Sequence, residues 1–317
     1  MARYVLRRVL ESIPTLILIT VVSFVLLHVA PGGPAEIMLG EKATPQLVAE
    51  INRTLGLNRP LYVQYGIWLW HLVHGNLGYA YTYHQSVMSL IGLNLPHTLL
   101  LVLTAIFVSH LVAITVGIFQ AYRRSTWADH GITAVTYFLY SMPTFWLGIV
   151  LVSVFALNLG WFPVAGFAPP YDAAPSLATI LSHLILPAAT LALVTIAGWS
   201  RFMRTSMSDA LAQDYIRTAR AKGASEIRML VHHALKNALL PLITLAGLSV
   251  PALFSGALII EVVFHYPGMG LLFWTAAQNR DYPILLGIVV LVGVLTIVGN
   301  LLADLAYAYI DPRIKYT

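Results

Sequence analysis

Six apolar stretches alternate with polar intervals along the chain: residues 12–30, 99–121, 131–159, 183–200, 238–260 and 284 to about 309. A helix crosses the hydrocarbon core of a bilayer in about 17–25 residues. The pattern therefore predicts an all-α integral membrane protein with six transmembrane helices. Proline marks several of them. Pro14 falls in the first turns of the first helix, where it is tolerated, Pro143 interrupts the third, and Pro241 and Pro251 lie in the fifth.

The intervals between spans carry their own signals. Residues 31–98 form the longest. Pro31-Gly32-Gly33-Pro34 breaks the first helix. Thr44 and Pro45 then open a short helix as N-cap and first residue, and Gly56 is placed to close it. The stretch 61–73 mixes Tyr62, Tyr65, Trp68 and Trp70 with apolar residues, as suits a membrane interface. His71 and His74 share a helix face there; they suit either a metal, for which no third ligand stands at helical spacing, or an amphipathic surface.

The interval 201–241 is the one long basic stretch, with Arg201, Arg204, Arg217, Arg220, Lys222, Arg228 and Lys236. Asp214 is a candidate N-cap, 215–222 fill about two turns, and Gly223 is placed at a left-handed C′ position. Ser225 and Glu226 look like the start of a second helix. Two short helices joined at a glycine make a compact knob outside the membrane. The competing description is a solvated basic loop that only fixes topology. Charge supports the cytoplasmic side for it. Fourteen of the 18 Lys and Arg residues fall in intervals that six spans place inside, with both termini, and four (Lys42, Arg53, Arg59, Arg280) in the others.

Composition narrows the function classes. Of the 317 residues, 58% are hydrophobic and 10% charged, where a soluble domain carries about a quarter charged. The net charge of +5 lies beside apolar spans, so topology explains it better than nucleic acid does. The chain has no cysteine, which excludes disulfides and thiolate metal sites. No phosphate-binding G-x-x-x-x-G-K-[ST] occurs, nor H-E-x-x-H or G-x-S-x-G.

Arg217-Thr218-Ala219 followed by Gly223 resembles the Glu-Ala-Ala…Gly (EAA) loop of ABC-importer permease subunits. The wording Asp-Tyr-Ile-Arg-Thr-Ala-Arg-Ala-Lys-Gly at 214–223, with His-Ala-Leu-Lys-Asn-Ala-Leu-Leu-Pro at 233–241, is similar to the B-type permease of dipeptide, oligopeptide and nickel importers. The general loop has Glu where this chain has Arg217, and its Leu-Pro pair falls nearer the glycine. Further phrases match outside it: 55–61, 75–78, 264–270 and 280–283. Where the family often has Gly-Asp-Pro, this chain has Gly32-Gly33-Pro34.

The resemblance implies the type I ABC-importer permease fold, with a first transmembrane helix at 1–30, a small extracytoplasmic segment at 31–98, and a five-helix core at 99–317 holding a coupling loop at 201–237. It implies a multi-pass subunit of a prokaryotic inner membrane that pairs with a homologous C-type permease. Two cytoplasmic ATPase subunits would bind ATP and magnesium, and an extracytoplasmic binding protein would deliver substrate. This chain would hold no cofactor and contact lipid but no nucleic acid. Asp214, Arg217, Thr218, Ala219, Lys222 and Gly223 would form the ATPase contact, with Ala219 facing the ATPase groove.

Two acids stand near or within spans. Asp304 lies deep in the sixth, and a structural pairing with another helix or a partner competes there with ion coupling. Glu261, at the outer end of the fifth, can face either a translocation path or headgroups. A stand-alone channel or secondary transporter would call for more paired intramembrane charge, and an intramembrane enzyme for a nucleophile or metal set. An ATP-driven permease for di- or oligopeptides is the function expected, with nickel or another small solute as the variant within the family.

Overall fold

The computed structural model describes residues 2–29, 33–169, 172, 174–239, 242 and 257–310. These are helical throughout, apart from turns and one isolated antiparallel bridge between Tyr79 and Ser86. The chain divides into two compact units, 1–98 with 267–298 and 99–266 with 299–317.

In the first unit, α1 (Ala2–Val29) starts ten residues before the expected apolar stretch and carries Pro14 inside it. Three short helices follow. In α2 (Pro34–Leu39) Pro34 is the first residue. In α3 (Pro45–Thr54) the Thr44 hydroxyl accepts from the Leu47 amide, and Gly56 has φ +69° just beyond its end. The aromatic helix α4 (Leu61–Val73) packs on α1: Tyr65 Oη lies 3.0 Å from Thr20 Oγ1, and its ring meets Phe24 edge-on. Helix α5 (Val87–Tyr122) begins twelve residues before the expected span because Ser86 starts it, its hydroxyl accepting from the Ser89 amide. Val87, Leu90 and Ile91 of α5 pack with Met269, Leu272, Ile284, Leu285 and Ile288.

The second unit holds α6 (Trp127–Ser141) and α7 (Thr144–Leu151), the latter running on as a π-helical stretch, Val152–Asn158. The break falls at Met142-Pro143, where the sequence expects it, and the two arms meet at 104°. Helix α8 (Leu177–Leu211) is capped by Ser176. It runs through Arg201 and Arg204, which the sequence places at the span's end. Leu101, Val102, Leu184, Leu191, Ile260 and Phe264 form one core of this unit. Helix α9 (Asp214–Ala221), α10 (Glu226–Arg228) and a second π-helical stretch, Met229–Ala234, make the knob. Helices α11 (Met269–Gln278) and α12 (Tyr282–Ile310) are the last helices of the described residues, α12 crossing from the first unit into the second.

Four described helices have spans long and apolar enough to cross a membrane: Leu10–Val29, Val87–Tyr122, Leu177–Leu211 and Tyr282–Leu301. The bent pair makes a fifth if it is taken as one span. The remaining expected span, at 238–260, falls mostly outside the described residues.

Candidate functional site: the knob and its anchor

The knob grows out of α8. The chain turns at Ala212 and Gln213, and Gln213, extended at ψ 152°, takes the N-cap position assigned to Asp214 in the sequence. Asp214 is instead the first helical residue. Its carboxylate complements the positive end of the helix dipole and lies 3.4 Å from the Arg217 guanidinium. Both side chains are almost fully solvated, so the pair adds little stability.

The glycine does what its position predicts. Gly223 has φ +79°, its amide bonds to the Arg220 carbonyl at 3.0 Å, and the Ala224 amide bonds to the Ala219 carbonyl at 3.1 Å. These two bonds form a Schellman ending, which a left-handed residue makes possible. Ser225 then caps α10 by accepting from the Arg228 amide.

Ala219 does not face outward. It is buried with Ile216 on the inner side of α9, and both pack among Met203, Met207, Met229 and Ala234. The reason is spacing: positions 216 and 219 lie on one helix face, and they are its apolar pair. The outer face is Arg217, Thr218, Arg220 and Lys222, all exposed. Ile227 and Val231 lie exposed beside them, at 75% and 50%. Asn237 Nδ2 donates to Tyr215 Oη at 3.0 Å, and Tyr122 Oη donates to Glu226, so the knob is tied both to the returning chain and to the end of α5.

A buried anchor lies beneath it, one that no sequence pattern signals. Asp129, placed by its sequence in a short inner loop, is fully buried in the first turn of α6. Arg204 of α8 donates Nε–H to Oδ1 at 2.8 Å and Nη2–H to Oδ2 at 2.7 Å. Gln120 of α5 donates to Oδ1 at 3.2 Å, and the Ser125 amide donates to Oδ2 at 3.0 Å. Ser125 reaches it from a left-handed conformation, φ +62°, uncommon outside glycine. Parallel bidentate bonds of this kind fix orientation as well as distance. One carboxylate thus joins α5, α6 and α8 where α8 leads into the knob.

Glu261 is fully buried in the second unit, facing neither water nor headgroups. Its carbonyl accepts from the Tyr266 amide at 2.8 Å, which turns the chain through His265 at φ +46°. Asp304 lies in α12, and its side chain is outside the described residues. His74 Nδ1 donates to the Trp70 carbonyl, and His232 and His233 are exposed. Among the described residues no group of three or more His, Asp or Glu side chains is placed to hold a metal ion.

Residues 113–316 match the family model described as binding-protein-dependent transport system inner membrane component, and residues 1–102 match the N-terminal model of such membrane components. The chain is 43% identical over 317 residues to the oligopeptide transport system permease protein AppB of Bacillus subtilis, with both chains covered in full. It is 38% identical, again over the whole of both, to the dipeptide transport system permease protein DppB of Alkalihalophilus pseudofirmus. Among solved structures, an inward-facing conformation of the MetNI methionine ABC transporter shares the fold, with a TM-score of 0.59 at 16% identity over 71% of this chain and 97% of that one. With the matched models spanning nearly every residue, the chain belongs to the family of membrane-spanning components of binding-protein-dependent transport systems.

Proposed function

We propose that this chain is the B-type permease of an ATP-driven peptide importer and that its knob is the contact through which a cytoplasmic ATPase drives it. The observation that carries the proposal is the build of the knob. Its inner face, Ile216 and Ala219, is packed into its own chain. Its outer face presents Arg217, Thr218, Arg220 and Lys222 beside exposed Ile227 and Val231. A compact, internally fixed helix with a mixed basic and apolar face suits docking to a soluble partner. Full-length likeness to oligopeptide and dipeptide permeases supports a peptide as the solute. The chain itself performs no hydrolysis: ATP and magnesium sit on two ATPase subunits, a C-type permease completes the pathway, and an extracytoplasmic binding protein delivers the peptide. Both termini and the segment 201–237 are cytoplasmic, and 31–98 lies outside.

In this scheme Asp214 and Gly223 shape the knob, Arg217, Thr218 and Lys222 touch the ATPase, and Ala219 serves as the packing residue that lets α9 sit close to α8. Glu261 and Asp304 act as helix contacts. ATP shifts the transporter between outward and inward states only to the extent that the knob is bound differently in each.

The experiment pairs variants of the two faces in the assembled complex. Arg217→Glu with Ile227→Asp alters only exposed side chains, and Gly223→Val strains the left-handed turn by about 1–2 kcal/mol. Both are expected to leave the chain in the membrane while co-purification of the ATPase subunits and peptide-stimulated ATP hydrolysis fall. Wild-type values of both readouts in both variants would reduce the segment to a topology signal.

A further inference from the structure

The first unit contains a cleft of about 440 Å³. It opens at the C-terminal end of the α1 span, beside the connection from α3 to α4 and the first residues of α12. The rings of His28 and Tyr282 are 5.1 Å apart there. His28 is next to the last residue of the Leu10–Val29 span, and Tyr282 is the first of Tyr282–Leu301. Two apolar spans therefore end at this level, which sets the cleft at the boundary between hydrocarbon and headgroups. Tyr79, Tyr81 and Trp68 line it, the residue types that favour that depth.

Its charge is one-sided. Arg53 and Arg59 line the cleft and no Asp or Glu does. Neither arginine has a carboxylate partner among the described residues. They are also two of only four basic Lys or Arg residues outside the predicted inner segments, so topology gives no reason for them. Trp68 adds an independent sign: its indole N–H is buried without a hydrogen-bond acceptor, a costly state that a bound acceptor would relieve. On the other side the lining turns apolar, with Phe24, Ile67 and Leu286.

We propose that this cleft binds an anionic phospholipid. Arg53 and Arg59 meet the phosphate, the Trp68 N–H donates to one of its oxygens, and an acyl chain follows Phe24, Ile67 and Leu286 towards the hydrocarbon. Guanidinium groups suit phosphate because their donors match its oxygens in pairs, and an indole at interfacial depth suits the junction of head and tail.

The test uses the full chain in detergent, titrated with phosphatidylglycerol, phosphatidylcholine or inorganic phosphate and read by native mass spectrometry and Trp fluorescence. The wild type is expected to retain phosphatidylglycerol in preference to phosphatidylcholine. Arg53→Gln with Arg59→Gln should weaken that binding roughly thirtyfold, the effect of two cations near an anionic headgroup. Trp68→Phe, which keeps the ring and removes the donor, should weaken it about fivefold, and Lys42→Gln, outside the cleft, should leave it unchanged. Equal phosphatidylglycerol binding by the double variant and the wild type would overturn the proposal. So would saturation by inorganic phosphate with no preference between the two lipids, which would assign the arginines to a free anion.

Discussion

Arg204 holds Asp129 by two parallel hydrogen bonds across 75 positions of sequence. The carboxylate is fully buried and the guanidinium about one-third exposed. This asymmetry decides what each substitution should do. Asp129→Ala strips four N–H donors of their acceptor, two on Arg204 and one each on Gln120 and Ser125, though Arg204 can turn partly to water. The expected loss is about 2–3 kcal/mol of stability. Arg204→Lys keeps the charge, loses the paired geometry, and should cost about half as much. Thermal unfolding of the purified chain measures both, and an unchanged midpoint in Asp129→Ala would remove the anchor from the account of the fold.

Gly117 of α5 faces α8 so closely that an added Cβ would lie 2.5 Å from Met203 Cβ and 2.9 Å from the Ser200 carbonyl. Neither neighbour is the free end of a flexible side chain, so the helices must part. Gly117→Ala should cost about 1–3 kcal/mol. Gly131→Ala makes the contrast, since nothing lies within 4 Å of its added methyl. There the better helix former should be neutral or stabilising by up to about 1 kcal/mol. If the two variants unfold alike, the close approach of α5 and α8 is wrong.

Asp281 sits fully buried just before α12. Burial raises its pKa, against the Thr82 amide, which donates to Oδ2 at 2.8 Å, and weaker help from the Ile284 and Tyr81 amides. A carboxyl whose folded pKa is raised contributes most to stability below its unfolded value, about 3.9. That contribution is lost as pH rises through the folded pKa. Asp281→Asn keeps a carbonyl acceptor for Thr82 and cannot ionise. It should therefore flatten the fall in unfolding midpoint expected of the wild type from about pH 4 upward. A wild-type midpoint that rises over that range, and is insensitive to the substitution, would contradict the burial of this group.

The distribution of Lys and Arg predicts that α3 and α9 are reached from opposite sides of the membrane. With no native cysteine, Glu50→Cys and Ala221→Cys give one exposed thiol each and disturb no helix cap. An impermeant thiol reagent outside intact cells should label the first alone. Labelling of both from one side would refute the arrangement.

What was legible in the sequence was set by local chemistry. Thr44 and Pro45 announce α3, Gly223 announces its left-handed turn, and Pro143 announces a break, because each acts through bonds a few residues long. Proline signals that the helix cannot continue, but the packing of both arms fixes the 104° angle. The motif alone puts Ala219 on the outer face, whereas its apolar partner Ile216, three positions earlier, turns both inward. The Asp129–Arg204 clamp could not be read at all. Each residue, taken alone, is an ordinary charge next to a span, and only the crossing of α6 and α8 brings them together.

The length of α8 gives that clamp a mechanical meaning. From Arg204 back to Leu177 the helix runs 27 residues, about 40 Å, with Pro187 as its one internal proline. Held at Arg204, it is a lever whose short arm, to Leu211, leads into the knob and whose long arm spans the bilayer. A tilt of about 5° about that pivot displaces the far end by about 3.5 Å, more than the diameter of a water molecule. A small angular change at the knob end thus becomes, at the far end of α8, a displacement on the scale of a solvent gap.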